Sequence, residues 1–334
     1  MPRDPCFPDA GARTIFVVMQ RLTVAPCPDW HDRAAAAGFP AAGVTAWCQD
    51  AAWRFSPGDI EVLGDAAQRL EDLCLDWVED VVSRGDYAAF GLPDEACALI
   101  EDSWRRQDKN LLGRLDLVWN GRDAPQLLRY AADAPAGLCD AAQMQAEWLD
   151  CHCNHCDQFN GIHEMLVEAW KHFGLWGHRV HIGAGREDAE GRSCADYLRD
   201  TAQVAGLDAS LLHLEDLRWN GKRFTDQTAK PITVLCKLSP WSDLLRHPLN
   251  EHLRSAGMRL IEPAWKLLLT QEATLPGLRA AFPDDAHLRP VTALPTADGH
   301  APVLGVWIVA SRACGLGVSE SGRDGTRFVP HMFE

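Results

Sequence analysis

Gly113 to Leu138 reads GRLDLVWNGRDAPQLLRYAADAPAGL. Arg114 to Trp119 and Gln126 to Tyr130 alternate apolar and polar residues on either side of Gly121-Arg122-Asp123. That pattern predicts two paired strands around a turn. The second apolar run leads into a loop of the kind that usually carries chemistry. Yet that loop is filled mostly by Arg129, Ala131, Ala134, Ala136 and Gly137, side chains with little chemistry to offer.

Working outward, Ser56-Pro57-Gly58-Asp59 predicts a helix start, with Ser56 as N-cap and Asp59 closing a capping box. Ile60, Leu63, Ala67, Leu70, Leu73, Trp77 and Val81 continue it at helical spacing. Further helices are expected from Ile162 to Phe173, from about Ser193 to the stop at Gly206, and from Pro263. A short apolar patch at Ile15 to Met19 reads as a first strand. Arg179 to Ile182, Ser210 to Leu214, Ile232 to Leu238 and Val303 to Ala310 read as later strands. Strands and helices without a regular βαβ rhythm indicate an α+β, mixed α/β chain.

With 334 residues, 47% of them hydrophobic, the chain can bury one large core or a few intimately packed ones. Its 47 acidic against 32 basic residues leave a formal charge of −15. That balance disfavours a nucleic-acid or anionic-membrane surface as partner. No apolar run approaches the roughly 20 residues of a membrane span, and the patch at 15–19 is too short for a signal sequence. A cytoplasmic protein is expected, with its twelve cysteines mostly reduced.

A succession of unusual words runs through the chain: PDW at 28–30, GF at 38–39, LEDLCLDWVEDVV at 70–82, DSW at 102–104 and GRLDLVW at 113–119. LLRYAADAPAGL at 127–138, DQFNGIHEMLVEAW at 157–170, YLRDTAQVAGL at 197–207 and DLRWNGKRFTD at 216–226 follow. KLSPW at 237–241, LIEPAWK at 260–266, LGVWIVASRACGLG at 304–317 and RFVPH at 327–331 complete the series. In this order the words resemble the glutathionylspermidine synthase family of ATP-grasp ligases, over nearly the whole chain. The resemblance implies a pre-ATP-grasp part at 1–110 and an ATP-grasp-like synthase region at 111–334. It also implies a reaction class, in which Mg-ATP phosphorylates a carboxylate and an amine captures the acyl phosphate.

That chemistry needs oxygen ligands for magnesium, cations for the phosphates and a cover that excludes water. The family's loop resembles LLEYNADTPTSL, whose Glu and Asn are metal ligands and whose Thr and Ser touch substrate. Here Arg129 stands at the Glu position and Ala131 at the Asn, with Ala134, Ala136 and Gly137 at the Thr, Thr and Ser. A guanidinium at a metal ligand's position reverses the local charge, at a cost of several kcal/mol even at a surface-like effective dielectric. Arg114 and Asp116 match the family's phosphate-contacting Arg and first metal Asp. The S-N-K word is Thr270-Gln271-Glu272, which makes a phosphate contact acidic. The glycine-rich hairpin over the nucleotide is missing as a block near 294–300. Ser319 replaces the arginine of G-I-R-E, while Glu320 remains. Of E-D-x-x-T-x-x-Y, Glu190 and Tyr197 survive, with Cys194 at the Thr.

Apolar and aromatic family positions persist, whereas the ATP, metal and phosphoryl-transfer positions do not. The expectation is a family fold whose ligase chemistry has been discarded, a pseudoenzyme with a binding or regulatory role. Arg114, Asp116, Glu190, Lys237 and Glu320 are its residual cleft residues. An intact paralogue, a peptide or a polyamine is the expected partner, and no cofactor is expected. The alternative is an ATP-dependent amide ligase that uses Mg-ATP through rearranged ligands, favoured if other carboxylates converge near Arg114. A third reading rests on Cys151-His152-Cys153-Asn154-His155-Cys156, where Cys151, Cys153, His155 and Cys156 have the chemistry of zinc ligands. No second C-x-x-C completes a tetrahedral site, so the bland alternative is a cysteine-rich loop. His163 and Lys266 read as scaffold, Cys236 and Cys314 as core, and Cys194 as a candidate reactive thiol.

Overall fold

A computed structural model describes residues 19–39, 46–294, 296, 299–322 and 325–334. Four of the five positions expected to form a first strand, 15–18, lie outside the described residues; the strand β1 spans Gln20–Thr23. It pairs antiparallel with β2 (Ala51–Phe55).

The principal helix covers Pro57–Arg84 and begins as its sequence dictates. Ser56 Oγ accepts from Asp59 N at 3.1 Å, and Asp59 Oδ2 accepts from Ser56 N at 2.8 Å. Gly85 ends it at φ 64°, a left-handed conformation that favours glycine. Leu63, Ala67, Leu70, Trp77 and Val81 form its buried stripe. Each fully buried Leu contributes about 1.5–3 kcal/mol.

That stripe packs on a five-stranded antiparallel sheet ordered β13-β12-β11-β3-β4. Its strands are β3 (Leu112–Val118), β4 (Gln126–Ala131), β11 (Pro302–Val309), β12 (Arg312–Gly322) and β13 (Gly325–Val329). The two-residue period divides the sheet. Leu115, Leu117, Val306, Ile308, Leu316 and Val318 join the core beneath the helix. Arg114, Asp116, Gly305 and Trp307 therefore belong to the opposite face.

Next to this layer lies a parallel sheet of β5 (Arg179–Ala184), β6 (Asp208–His213), β9 (Val234–Lys237) and β10 (Arg259–Ile261). Its order is β10-β9-β5-β6. Helices Ile162–His172 and Ala189–Val204 share a second core with it. β14 (His331–Phe333) pairs parallel with β2 and ties the described C-terminal residues to the N-terminal ones. A two-strand ribbon, β7 (Arg218–Trp219) with β8 (Phe224–Thr225), completes the sheets.

Two expectations shift in detail. The helix expected from Ser193 begins four residues earlier, because the Asp188 side chain accepts from Gly191 N and caps it. Pro263 opens a 3-10 turn, Ala264–Thr270, rather than an α-helix. There Glu262 accepts from Leu112 N at 2.7 Å and from Lys266 Nζ at 2.7 Å. Lys266 Nζ also donates to Leu112 O at 2.7 Å, the scaffold role expected of this lysine.

Candidate functional site

The loop that opened the sequence analysis follows β4, on the sheet face turned away from the principal helix. Register sets the site. Asp116 stands opposite Arg129 and opposite Gly305, and Arg114 opposite Ala131 and Trp307. Asp116 is 2% exposed and fully occupied by cations. Arg114 Nε donates to its Oδ1 at 2.6 Å and Arg114 Nη2 to its Oδ2 at 3.1 Å. Arg129 Nε donates to the same Oδ2 at 2.6 Å.

Arg114 is itself held. Its Nη1 donates to Ala136 O, and its guanidinium carbon lies 5.7 Å from the Trp307 ring centre. A Cβ at residue 305 would stand 2.8 Å from Arg114 Cδ, so glycine there leaves the lane the arginine occupies. Gly137 N donates to Glu190 Oε1 at 2.6 Å, joining the loop to helix Ala189–Val204. Asp140 is next to this junction. Burial, then the nearby Glu190 charge, pushes its carboxyl up to about 7, against the pull of Arg114.

The remaining expected residues occupy two further sites. Lys237 is 1% exposed and donates to Asp133 and to Ser239 O. The other Asp133 oxygen accepts from Trp241 N, and the ammonium lies 4.9 Å from the Trp241 ring centre. Lys237 is thus a buried link between the loop and the SPW word. Glu320 accepts from Arg21 at 2.8 and 3.1 Å and from Trp53 Nε1 at 2.7 Å, with His300 Nδ1 3.2 Å away. It closes the seam between the three-stranded and five-stranded sheets. Glu272 is exposed and Ser319 half-buried.

Glu190, Cys194 and Tyr197 recur at helical spacing on Ala189–Val204. Cys194 is buried with its sulfur 3.8 Å from that of Cys139, and this contact, with burial second, drives the Cys139 thiol far upward. At 6% exposure the Cys194 thiol is largely shielded from solvent. His163 lies 3.3 Å from the Tyr197 hydroxyl and packs against its ring, while Cys236 and Cys314 are buried in the core. Among the described residues no helix or strand lies between Leu288 and Pro302, the stretch in which the sequence lacks the family's hairpin.

The cysteine motif divides. Cys153, His155 and Cys156 lie together, but Cys151 stands with Cys27 and Asp29. In this structure Cys27 is disulfide-bonded to Cys151, and Cys153 to Cys156. The other seven described cysteines are free. Among the described residues, these two trios are the His, Cys, Asp and Glu groups close enough to share one ion. Neither includes Asp116, Asp140, Glu190 or Glu320.

Sequence reasoning missed Asp133, Asp140, Arg21, Trp53 and Glu71. Glu71, fully buried on the principal helix, accepts from the Tyr130 hydroxyl at 2.6 Å, and burial raises its carboxyl above the usual range. Asp133 lies inside the quoted loop and was legible as its one acidic residue. Arg21 and Trp53 carry no local signal, because their partner is 299 and 267 residues away in the chain.

The family described as glutathionylspermidine synthase preATP-grasp matches residues 21–293 of the chain. A putative acid–amine ligase of Haemophilus influenzae is 31% identical over 86% of this chain and 91% of its own length. Trypanothione synthetase of Crithidia fasciculata is 23% identical over 58% of this chain and 34% of its own length. A glutathione synthetase-like effector of Globodera pallida superposes with TM-score 0.54 at 9% identity, covering 84% of this chain and 88% of that one. That likeness concerns the fold, which is mixed α/β and ATP-grasp-like. The match over residues 21–293 and the identity to the acid–amine ligase together make the chain a member of the glutathionylspermidine synthase family.

Proposed function

We propose that this chain is a family member without magnesium–nucleotide chemistry, which keeps the old cleft for binding. The observation that carries this reading is the saturation of Asp116 by two guanidinium groups, one of them at the position of a family metal ligand. A carboxylate neutralised in this way has little left to offer a divalent cation, and a cation set beside two others is opposed by both. The ligand would be a peptide or a polyamine, held by the exposed Arg129 and Glu190 at the cleft's rim; in a regulatory version, an intact paralogue would take its place. The protein would act in the cytoplasm.

Release of ADP from Mg-ATP in the presence of glutathione and spermidine tests this. The expected result is no release above the protein-free rate. Turnover that depends on all three substrates would overturn the reading. A pull-down from the native host that recovers no family member would count against the regulatory version.

One observation favours a second reading, an ATP-dependent acid–amine ligase. Asp140 and Glu190 both lie near Arg114, and Asp140 carries a carboxyl shifted towards neutral pH. They would have to replace the ligands lost at Arg129 and Ala131, with Arg129 swinging outward. Its side chain is 65% exposed, so such a movement is cheap.

A further inference from the structure

Every cysteine of the CHCNHC motif is covalently paired, Cys151 with the distant Cys27, whereas the seven remaining described cysteines are free. The two bonds differ in setting. Cys27 is 4% exposed, and the connection it anchors is held a second time by His152, whose Nε2 lies 2.8 Å from Ala25 O. The His152 ring also stacks on Trp148 with 4.3 Å between centres, so this side of the motif is rigid. The Cys153–Cys156 bond instead closes a loop whose two inner residues, Asn154 and His155, are both exposed.

Within that loop the sulfurs are unequal. Cys153 is 3% exposed, while Cys156 is half-exposed. The His155 ring nitrogens lie 3.6 Å from Cys153 Sγ, and His155 Nε2 is 3.6 Å from a Glu334 carboxylate oxygen. Just beyond, Asp157 and Phe333 exchange backbone hydrogen bonds at 2.9 and 2.8 Å. The loop is therefore pinned at both ends, with its buried sulfur at the edge of the second core and its other sulfur on the outer side.

We propose that Cys153–Cys156 is a thiol–disulfide exchange site for small-molecule thiols, with Cys27–Cys151 as a separate structural tether. The sulfur of an incoming thiol attacks the accessible Cys156 Sγ. The Cys153–Cys156 bond breaks with its electron pair on Cys153 Sγ, which receives the proton by way of His155. A second thiol attacks the small-molecule sulfur of the mixed disulfide, releasing the oxidised small molecule and the Cys156 thiol. In sum, two thiols are oxidised to one disulfide and one protein disulfide is reduced to a dithiol; the reverse direction consumes the small-molecule disulfide. The exchange rests on the motif alone and is independent of what the cleft binds.

The test incubates the folded protein with graded 2-mercaptoethanol and its disulfide, quenches with acid, alkylates, and maps the modified cysteines by mass. The expected result is that Cys153 and Cys156 open together while Cys27–Cys151 stays closed. Cys153→Ser should then carry the mixed disulfide on Cys156, and Cys156→Ser should leave buried Cys153 unmodified. His155→Ala should slow opening by about a hundredfold with an unchanged melting temperature, in line with a proton-transfer group. Opening of Cys27–Cys151 first, an unchanged rate in His155→Ala, or purified protein holding stoichiometric metal on free Cys153 and Cys156 would each overturn the proposal.

Discussion

Arg129 stands directly across β3 and β4 from Asp116 and donates its Nε to the buried carboxylate at 2.6 Å. Arg114 reaches the same carboxylate along its own strand. The two arginines differ in setting, with side chains 18% and 65% exposed for Arg114 and Arg129. Arg129→Ala is therefore expected to change stability by less than about 1 kcal/mol. Arg114→Ala leaves Asp116 buried beside one mobile partner and should cost about 2–3 kcal/mol. Urea unfolding of the two variants checks the ranking, and equal losses would mean that the exposed arginine is as firmly held as the buried one.

The Lys237–Asp133 pair is buried at both ends. Removing one charge strands the other, so Lys237→Met should destabilise by about 3–5 kcal/mol. Combining it with Asp133→Leu should recover part of that, since no unpaired charge remains. A double variant less stable than either single one would show that Asp133 is needed chiefly for its bond from Trp241 N.

His331 is fully buried, accepting from Phe159 N at 3.0 Å through Nε2 and placed 2.9 Å from Gln145 Oε1 through Nδ1. These partners assign a neutral ring with the proton on Nδ1. Burial pushes its pKa down to about 3, whereas the unfolded chain takes up this proton near 6.5. The unfolded state thus binds more protons between the two values. The stabilisation is complete above pH 6.5 and falls by about 1.4 kcal/mol per unit as pH drops towards 3. Wild type's margin over His331→Gln should narrow from pH 7 to pH 5, as read from urea midpoints. A constant margin would place the ring's titration elsewhere.

Asp140 has the opposite sign. Its carboxyl is raised to about 7 from 3.8, so the folded state holds a proton that the unfolded chain has lost. Its stabilising share is complete below pH 4 and disappears as pH rises through 7. Asp140→Asn should leave stability nearly unchanged at pH 4 and raise it by about 1–2 kcal/mol at pH 8. Thermal melts at the two pH values make the comparison. Equal shifts at both would show that the carboxylate is already ionised in the fold.

Much of the local architecture was legible. Ser56 and Asp59 announce the principal helix because a capping box is made within four residues. RLDLVW announces a sheet strand because alternation needs no distant partner. The place of Arg129 opposite Asp116 could be read as well, since that register follows from a short hairpin. What could not be read depends on pairing across the chain. Nothing near Glu320 foretells Arg21 and Trp53, and nothing near Lys237 foretells Asp133. Cys27 and Cys151 are 124 residues apart, so four neighbouring motif residues looked like one ligand set until folding divided them.

The most direct test of the central claim is calorimetric titration of the wild-type protein with Mg-ATP at millimolar nucleotide, beside the Arg129→Glu, Ala131→Asn double variant. With Asp116 occupied by Arg114 and Arg129, the wild type should give no magnesium-dependent heat. The double variant restores a carboxylate and an amide across from Asp116 and Arg114, and metal binding should strengthen there if anywhere. Clear magnesium-dependent nucleotide binding by the wild type would contradict the account and return the chain to the working ligases.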